Sequence, residues 1–154
     1  MINKINIVAV GKMKEDYYKA AADEYIKRLA PYCKLTVTEI PPAKLPENPA
    51  QKEIDAALLK EEQLILPHLK GTALCLDIAG KRFTSEAFCK EIENLAEITF
   101  VIGGSHGLSD GVKAACFKRI SFSDMTFPHR LFRVMLLEQI YRAKQIEHGK
   151  SYHK

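Results

Sequence analysis

At 154 residues and 47% hydrophobic, the chain is long enough for one well-buried core and too short for two comfortable domains, so residues 1–154 are expected to form a single domain. No linker-like stretch divides it, and no apolar run approaches the roughly 18 residues of a membrane span. The net charge of +4 hides an asymmetry: residues 1–112 carry 14 Lys and Arg against 16 Asp and Glu, whereas residues 113–154 carry 9 against 3. An anionic partner would dock at that basic end, and a solvated basic face would give the same count.

The opening MINKINIVAVGKM lacks the apolar core and cleavage site of a signal peptide, so a cytoplasmic location is expected. Within it, Ile5, Ile7, Val8 and Val10 form a nearly continuous apolar run ending at Gly11, the pattern of a strand buried on both faces of a parallel sheet. Helical spacing of Tyr18, Ala21, Ala22, Tyr25, Ile26 and Leu29 predicts a helix from about Glu15 to Ala30. Lys34 to Ile40 alternates as a strand and stops at Pro41-Pro42. Ile54, Ala57, Leu58, Leu64 and Ile65 describe a long helix from Ala50 to Leu69.

A third strand is predicted from Thr72 to Ile78, and Thr84 or Ser85 caps a helix running to about Leu95. A fourth strand, Ile98 to Ile102, runs into Gly103-Gly104. A short helix near Ser109, a short strand near Arg119 to Phe122 and a helix from His129 to Ile146 complete the order. Between the last two elements SFSDMTFPH reads as a polar, hairpin-like stretch. The alternation predicts an α/β fold with a mostly parallel sheet and helices on both faces. Cys33, Cys75, Cys89 and Cys116, widely spaced, read as reduced thiols.

In such sheets small molecules bind where loops converge beyond the carboxyl ends of the strands. Three loops qualify: Leu76 to Gly80, Gly103 to Gly107, and Phe122 to Phe127. The glycines at 103, 104 and 107 serve either close approach to a ligand or a tight turn. Gly107-Leu108-Ser109 is no Walker A ending, and G-G-x-x-G after the fourth strand is no dinucleotide fingerprint. The five histidines show no metal-ligand spacing, so no metal is expected, and Gly104-Ser105-His106-Gly107 is no hydrolase elbow.

Taken together, IGGSHGL, SFSDMTFPH, RVMLLEQIYRA and the terminal YHK closely resemble the RlmH family of the SPOUT superfamily of RNA methyltransferases. The opening I-V-A-V-G-K-M-K, E-Y-I-K-R-L and L-D-I-A-G-K extend the likeness end to end. The resemblance implies a homodimer with a C-terminal trefoil knot and S-adenosylmethionine as methyl donor. It implies methylation of N3 of pseudouridine 1915 in the helix 69 loop of 23S rRNA on the assembled ribosome, with neither membrane nor DNA as partner.

Carried onto this chain, the cofactor contacts fall at Leu76, Gly103, Phe122, Ser123, Asp124, Met125, Thr126 and Phe127, the three loops chosen above. Without the resemblance, Phe122, Met125 and Phe127 would read as core. In the tail, His153 is the candidate general base, Tyr152 is suited to stack on or orient the target base, and Lys154 to hold phosphate. His129, Arg133 and Arg142 are the other candidate RNA contacts, with the alternative that one of the two arginines serves the dimer and the other meets RNA. His129, at a helix start, suits a cap as well as an RNA contact, and Glu138 is expected to pair with one of the arginines. The competing readings are a ribosome-binding assembly factor without chemistry, a SPOUT methyltransferase acting on another RNA, and a small-molecule nucleotide enzyme.

Overall fold

A computed structural model describes residues 3–154; Met1 and Ile2, the first residues of the expected domain, lie outside the described range. Five strands form one parallel sheet: β1 (Asn3–Val10), β2 (Cys33–Ile40), β3 (Thr72–Arg82), β4 (Glu97–Ile102) and β5 (Lys118–Ser121), in the order β2-β1-β4-β3-β5. Five helices connect and cover them: α1 (Asp16–Leu29), α2 (Gln51–Ile65), α3 (Ser85–Ile92), α4 (Asp110–Ala115) and α5 (His129–Glu147).

The continuous apolar strands are explained by two core layers. Ile5, Ile7, Leu74, Ile98 and Phe100 pack against α1, α3 and α5 through Leu29, Phe88, Ile92, Leu136 and Ile140. Val8, Val10, Cys75 and Val101 point the other way, toward α2 and α4 through Ile65 and Val112. Alternate residues therefore serve opposite layers, and each fully buried Ile or Leu contributes about 1.5–3 kcal/mol.

Local chemistry sets the helix ends. Thr84 accepts from the Ala87 amide at 3.1 Å and Ser109 from the Val112 amide at 3.1 Å, caps worth about 1 kcal/mol each. Ser109 also donates to Glu62 at 2.6 Å, tying α4 to α2. At the start of α2, Glu53 reaches back to the Ala50 amide at 3.0 Å.

Four expectations change. The α2 helix stops at Ile65 and continues to His68 only as a 3-10 turn, because Pro67 cannot donate to the carbonyl four residues back. Leu64, counted on the apolar face, is 47% exposed. The α3 helix ends at Ile92 rather than Leu95. Strand β3 does not end at Ile78: Leu76 and Lys81 both lie opposite Ile120, so residues 77–80 bulge out and the strand resumes to Arg82.

The stretch after β5 also differs from a hairpin. It leaves the sheet edge and carries the chain to α5, whose first turns bond Gly11 at the end of β1. The thiols of Cys33, Cys75, Cys89 and Cys116 are free.

Candidate functional site

The three loops expected from the strand ends converge on one cavity of about 620 Å³. The β3 bulge forms one wall. Its Asp77 carboxylate, only 8% exposed, is paired with Lys113 at 3.6 Å and Arg119 at 3.4 Å, and it accepts from the Ala79 amide at 3.1 Å. The bulge is thus bolted to α4 and β5. Gly80 lies flat on β5, where a Cβ would sit 2.6 Å from the Arg119 carbonyl carbon.

The glycine loop forms the second wall. Gly107 donates to the Gly104 carbonyl at 3.1 Å and has φ +77, and a Cβ on Gly103 would come within 2.4 Å of the Gly107 oxygen. The glycines therefore make a tight turn, and the turn lines the cavity.

The third wall is the Phe122–Pro128 crossing. Phe122 and Phe127 pack on Phe132 of α5, with ring centroids 5.8 and 5.5 Å away. The Ser123 hydroxyl accepts from the Met125 amide at 3.0 Å, and Asp124 turns outward to Arg82 at 2.7 Å.

Of the eight expected cofactor contacts, Leu76, Gly103, Phe122, Met125, Thr126 and Phe127 line the cavity, while Ser123 and Asp124 do not. His129, read as an RNA contact or a cap, lines it too. Burial, then Arg130 and Arg133, hold its imidazole below the usual histidine range. Ile102, Leu108 and Phe132 also line the cavity but were legible only as core apolar positions.

Arg133 is brought elsewhere. Its side chain is 5% exposed, pairs with Glu39 at 2.7 Å and donates to the Gly11 carbonyl at 2.9 Å. It docks α5 on β1 and β2 and presents no free cation to a partner. Burial would raise the Glu39 carboxyl, but Arg133 holds it below the usual carboxylate range.

The tail forms a second cluster, on the C-terminal half of α5. Glu138 accepts from Arg142 at 2.8 Å and from the Tyr152 hydroxyl at 2.9 Å. The Arg142 guanidinium lies 4.8 Å from the Tyr152 ring centroid and 3.1 Å from His153 Nδ1. His153 Nε2 meets Glu86 of α3 at 2.8 Å. Since a guanidinium only donates, Nδ1 accepts and the imidazole proton sits on Nε2, donating to Glu86. That bond is the main reason the Glu86 carboxyl is held low. Burial and Glu138 push Tyr152 up to about 12, so it is a hydroxyl donor at neutral pH. Lys154 is exposed.

Phe132, at the cavity, and Arg142, at the tail, stand ten residues apart on α5, about 15 Å along its axis. The cofactor candidates and the tail candidates therefore form two separate clusters in the chain. Among the described residues, no group of three His, Cys, Asp or Glu is placed to hold a metal ion. No helix among them is long and apolar enough to cross a membrane.

A doubly covered parallel sheet, with loops at its carboxyl ends enclosing a largely apolar cavity, defines an α/β fold with a cavity where such sheets carry their ligand sites. The model of the family described as predicted SPOUT methyltransferase matches residues 3–153. The chain belongs to the SPOUT methyltransferase family.

It is 51% identical to ribosomal RNA large subunit methyltransferase H of Clostridium botulinum (strain Okra / Type B1), over 97% of this chain and 99% of that one. It is 49% identical to ribosomal RNA large subunit methyltransferase H 1 of Clostridium perfringens (strain SM101 / Type A), with the same coverage. The solved structure of a probable methylase family protein from Haemophilus influenzae Rd KW20 matches the fold with a TM-score of 0.60 at 12% identity. That match covers 100% of this chain and 72% of the other.

Proposed function

We propose that this chain methylates 23S rRNA, with S-adenosylmethionine as donor and N3 of the helix 69 pseudouridine as acceptor, on the assembled ribosome. The observation that carries the reading is the full-length likeness to enzymes named ribosomal RNA large subunit methyltransferase H, joined to a cavity suited to an adenosine.

The fit rests on local chemistry. Leu76, Met125 and Phe127 offer apolar faces to a nucleobase. Among the described residues, Thr126 and Phe127 make no backbone–backbone hydrogen bond, leaving main-chain donors and acceptors for its edge. When bound, S-adenosylmethionine supplies a methyl group activated by its sulfonium.

The acceptor nitrogen is an imide that must lose its proton. His153 is the group of this chain suited to take it, and Arg142 and Lys154 are suited to oppose the developing anion and hold phosphate. In its docked position the His153 lone pair faces Arg142. Proton acceptance requires that contact to be given up.

Because the tail lies about 15 Å along α5 from its own cavity, the reading places it at the cavity of a second protomer in a homodimer. The crossing of the Phe122–Pro128 segment over the strand ends is the feature on which a trefoil knot would rest.

The test is transfer of labelled methyl from S-adenosylmethionine to ribosomes lacking this modification, followed by mapping of the labelled nucleotide. Label at the helix 69 pseudouridine is the expected result; label elsewhere, or none, overturns it.

A further inference from the structure

One charged cluster has no part in the proposed methyl transfer: the loop from Gly11 to Lys14, between β1 and α1. Its backbone is unusually well held for a loop. Gly11, at φ +95, donates to the Ile40 carbonyl at 2.8 Å and accepts from Arg133 at 2.9 Å. The Lys12 carbonyl accepts from Arg130 Nε at 2.9 Å, and the Met13 amide donates to Glu39 at 3.3 Å.

Two arginines of α5 and one glutamate of β2 thus fix three successive residues, while the side chains of Lys12 and Lys14 remain exposed. Among the described residues neither lysine has an ion-pair partner within 4.0 Å. The nearby carboxylates are engaged by arginines instead: Glu15 with Arg130 at 3.0 Å and Glu39 with Arg133 at 2.7 Å. Lys12 is still close enough to help keep the Glu39 carboxyl low.

The loop adjoins the cavity. A Cβ on Gly11 would lie 3.6 Å from His129 Nε2, and His129 lines the cavity wall. Arg130 and Arg133 are matched by Glu15 and Glu39, which leaves Lys12 and Lys14 as the exposed cations of a loop beside the cavity wall. Two exposed lysines without an ion-pair partner, on a fixed backbone, are a favourable place for an anion.

A flexible lysine loop would have to be ordered when it binds. Here the backbone ordering is already made in the free chain, which lowers the cost of binding.

We infer that Lys12 and Lys14 form a preordered phosphate-binding platform that holds the RNA strand against the cavity. The inference rests on the methyltransferase reading and names a contact for its substrate. Phosphate contacts position a nucleic acid without reading its bases, so the platform supplies register and the ribosome supplies sequence.

The test compares the wild-type chain, the K12A/K14A variant and the K12R/K14R variant in three measurements: S-adenosylmethionine affinity, salt dependence of ribosome binding, and turnover with ribosomes. Both lysines are exposed, so the variants are expected to fold. For K12A/K14A the log–log salt slope is expected to shrink by about one per lysine. KM for ribosomes rises with kcat retained, cofactor affinity stays unchanged, and K12R/K14R behaves as wild type.

An unchanged slope and KM overturn the inference. So does a K12A/K14A variant that loses cofactor affinity instead, since the anion served would then be the cofactor's carboxylate. Failure of the wild-type chain to label ribosomes would overturn the methyltransferase reading, while the binding slope would still decide for or against the platform.

Discussion

The two ends of α5 use the same pair of residue types for opposite purposes. At its N-terminal end Arg133 and Glu39 are joined across 94 positions of sequence, with the arginine side chain 5% exposed. At the other end Arg142 and Glu138 are four residues apart, 25% and 19% exposed, and share their bonds with Tyr152 and His153. The first pair joins elements that must not move. The second holds a short tail through part-buried side-chain contacts. Burial, not residue type, separates the arginine enclosed between elements from the one that keeps a face toward solvent.

That contrast is broken most severely by Arg133→Met. The substitution leaves the Gly11 carbonyl without its donor and Glu39 without its cation, and it is expected to cost about 3 kcal/mol in a urea unfolding titration. Deleting Tyr152 to Lys154 tests the other end. Turnover on ribosomes should fall at least about a hundredfold, while stability in the same titration changes by under about 1 kcal/mol.

Acid sharpens the comparison by touching both ends with one sign. Glu39, Glu86 and His129 all have lowered pKa values in the folded chain, so the unfolded chain takes up protons first. Stability should therefore fall as pH drops, from His129 below roughly pH 6.5 and from the carboxylates below roughly pH 4.5. Thermal melts from pH 7 to 4 measure it, and His129→Gln should flatten only the upper part of the curve. The smallest effect is expected for Tyr152→Phe, which removes one partly exposed hydrogen bond to Glu138 and should cost under about 1 kcal/mol.

That β1 is a strand buried on both faces was legible because Ile5 and Ile7 serve one core layer and Val8 and Val10 the other, leaving a nearly unbroken apolar run. The cavity loops were legible because a parallel sheet places ligands at its carboxyl ends, and Gly103 to Gly107 announces a backbone turn there. The burial of Arg133 was not, since its partner Glu39 and its acceptor Gly11 lie on other elements about a hundred residues away. Nor was the resumption of β3 after Gly80, which depends on Ile120 receiving both Leu76 and Lys81. That Glu138 pairs with one of the α5 arginines was expected, and the local Arg142 is the one, whereas the bond of His153 to Glu86 required knowing that α3 lies beside α5.

The bonds of α5 to the start of the chain also bear on how the protein comes into being. Arg130 and Arg133 reach back 118 and 122 positions to the first loop, and Lys144 reaches Asn3, 141 positions away. While the chain is still being made, β1 has neither β4 beside it nor α5 to fix its following loop. The cavity can close only after nearly all of the chain has left the synthesis tunnel, and contacts of such long separation make folding slow. Until then an apolar strand and a lysine-bearing loop wait unsupported beside a polymer of phosphates.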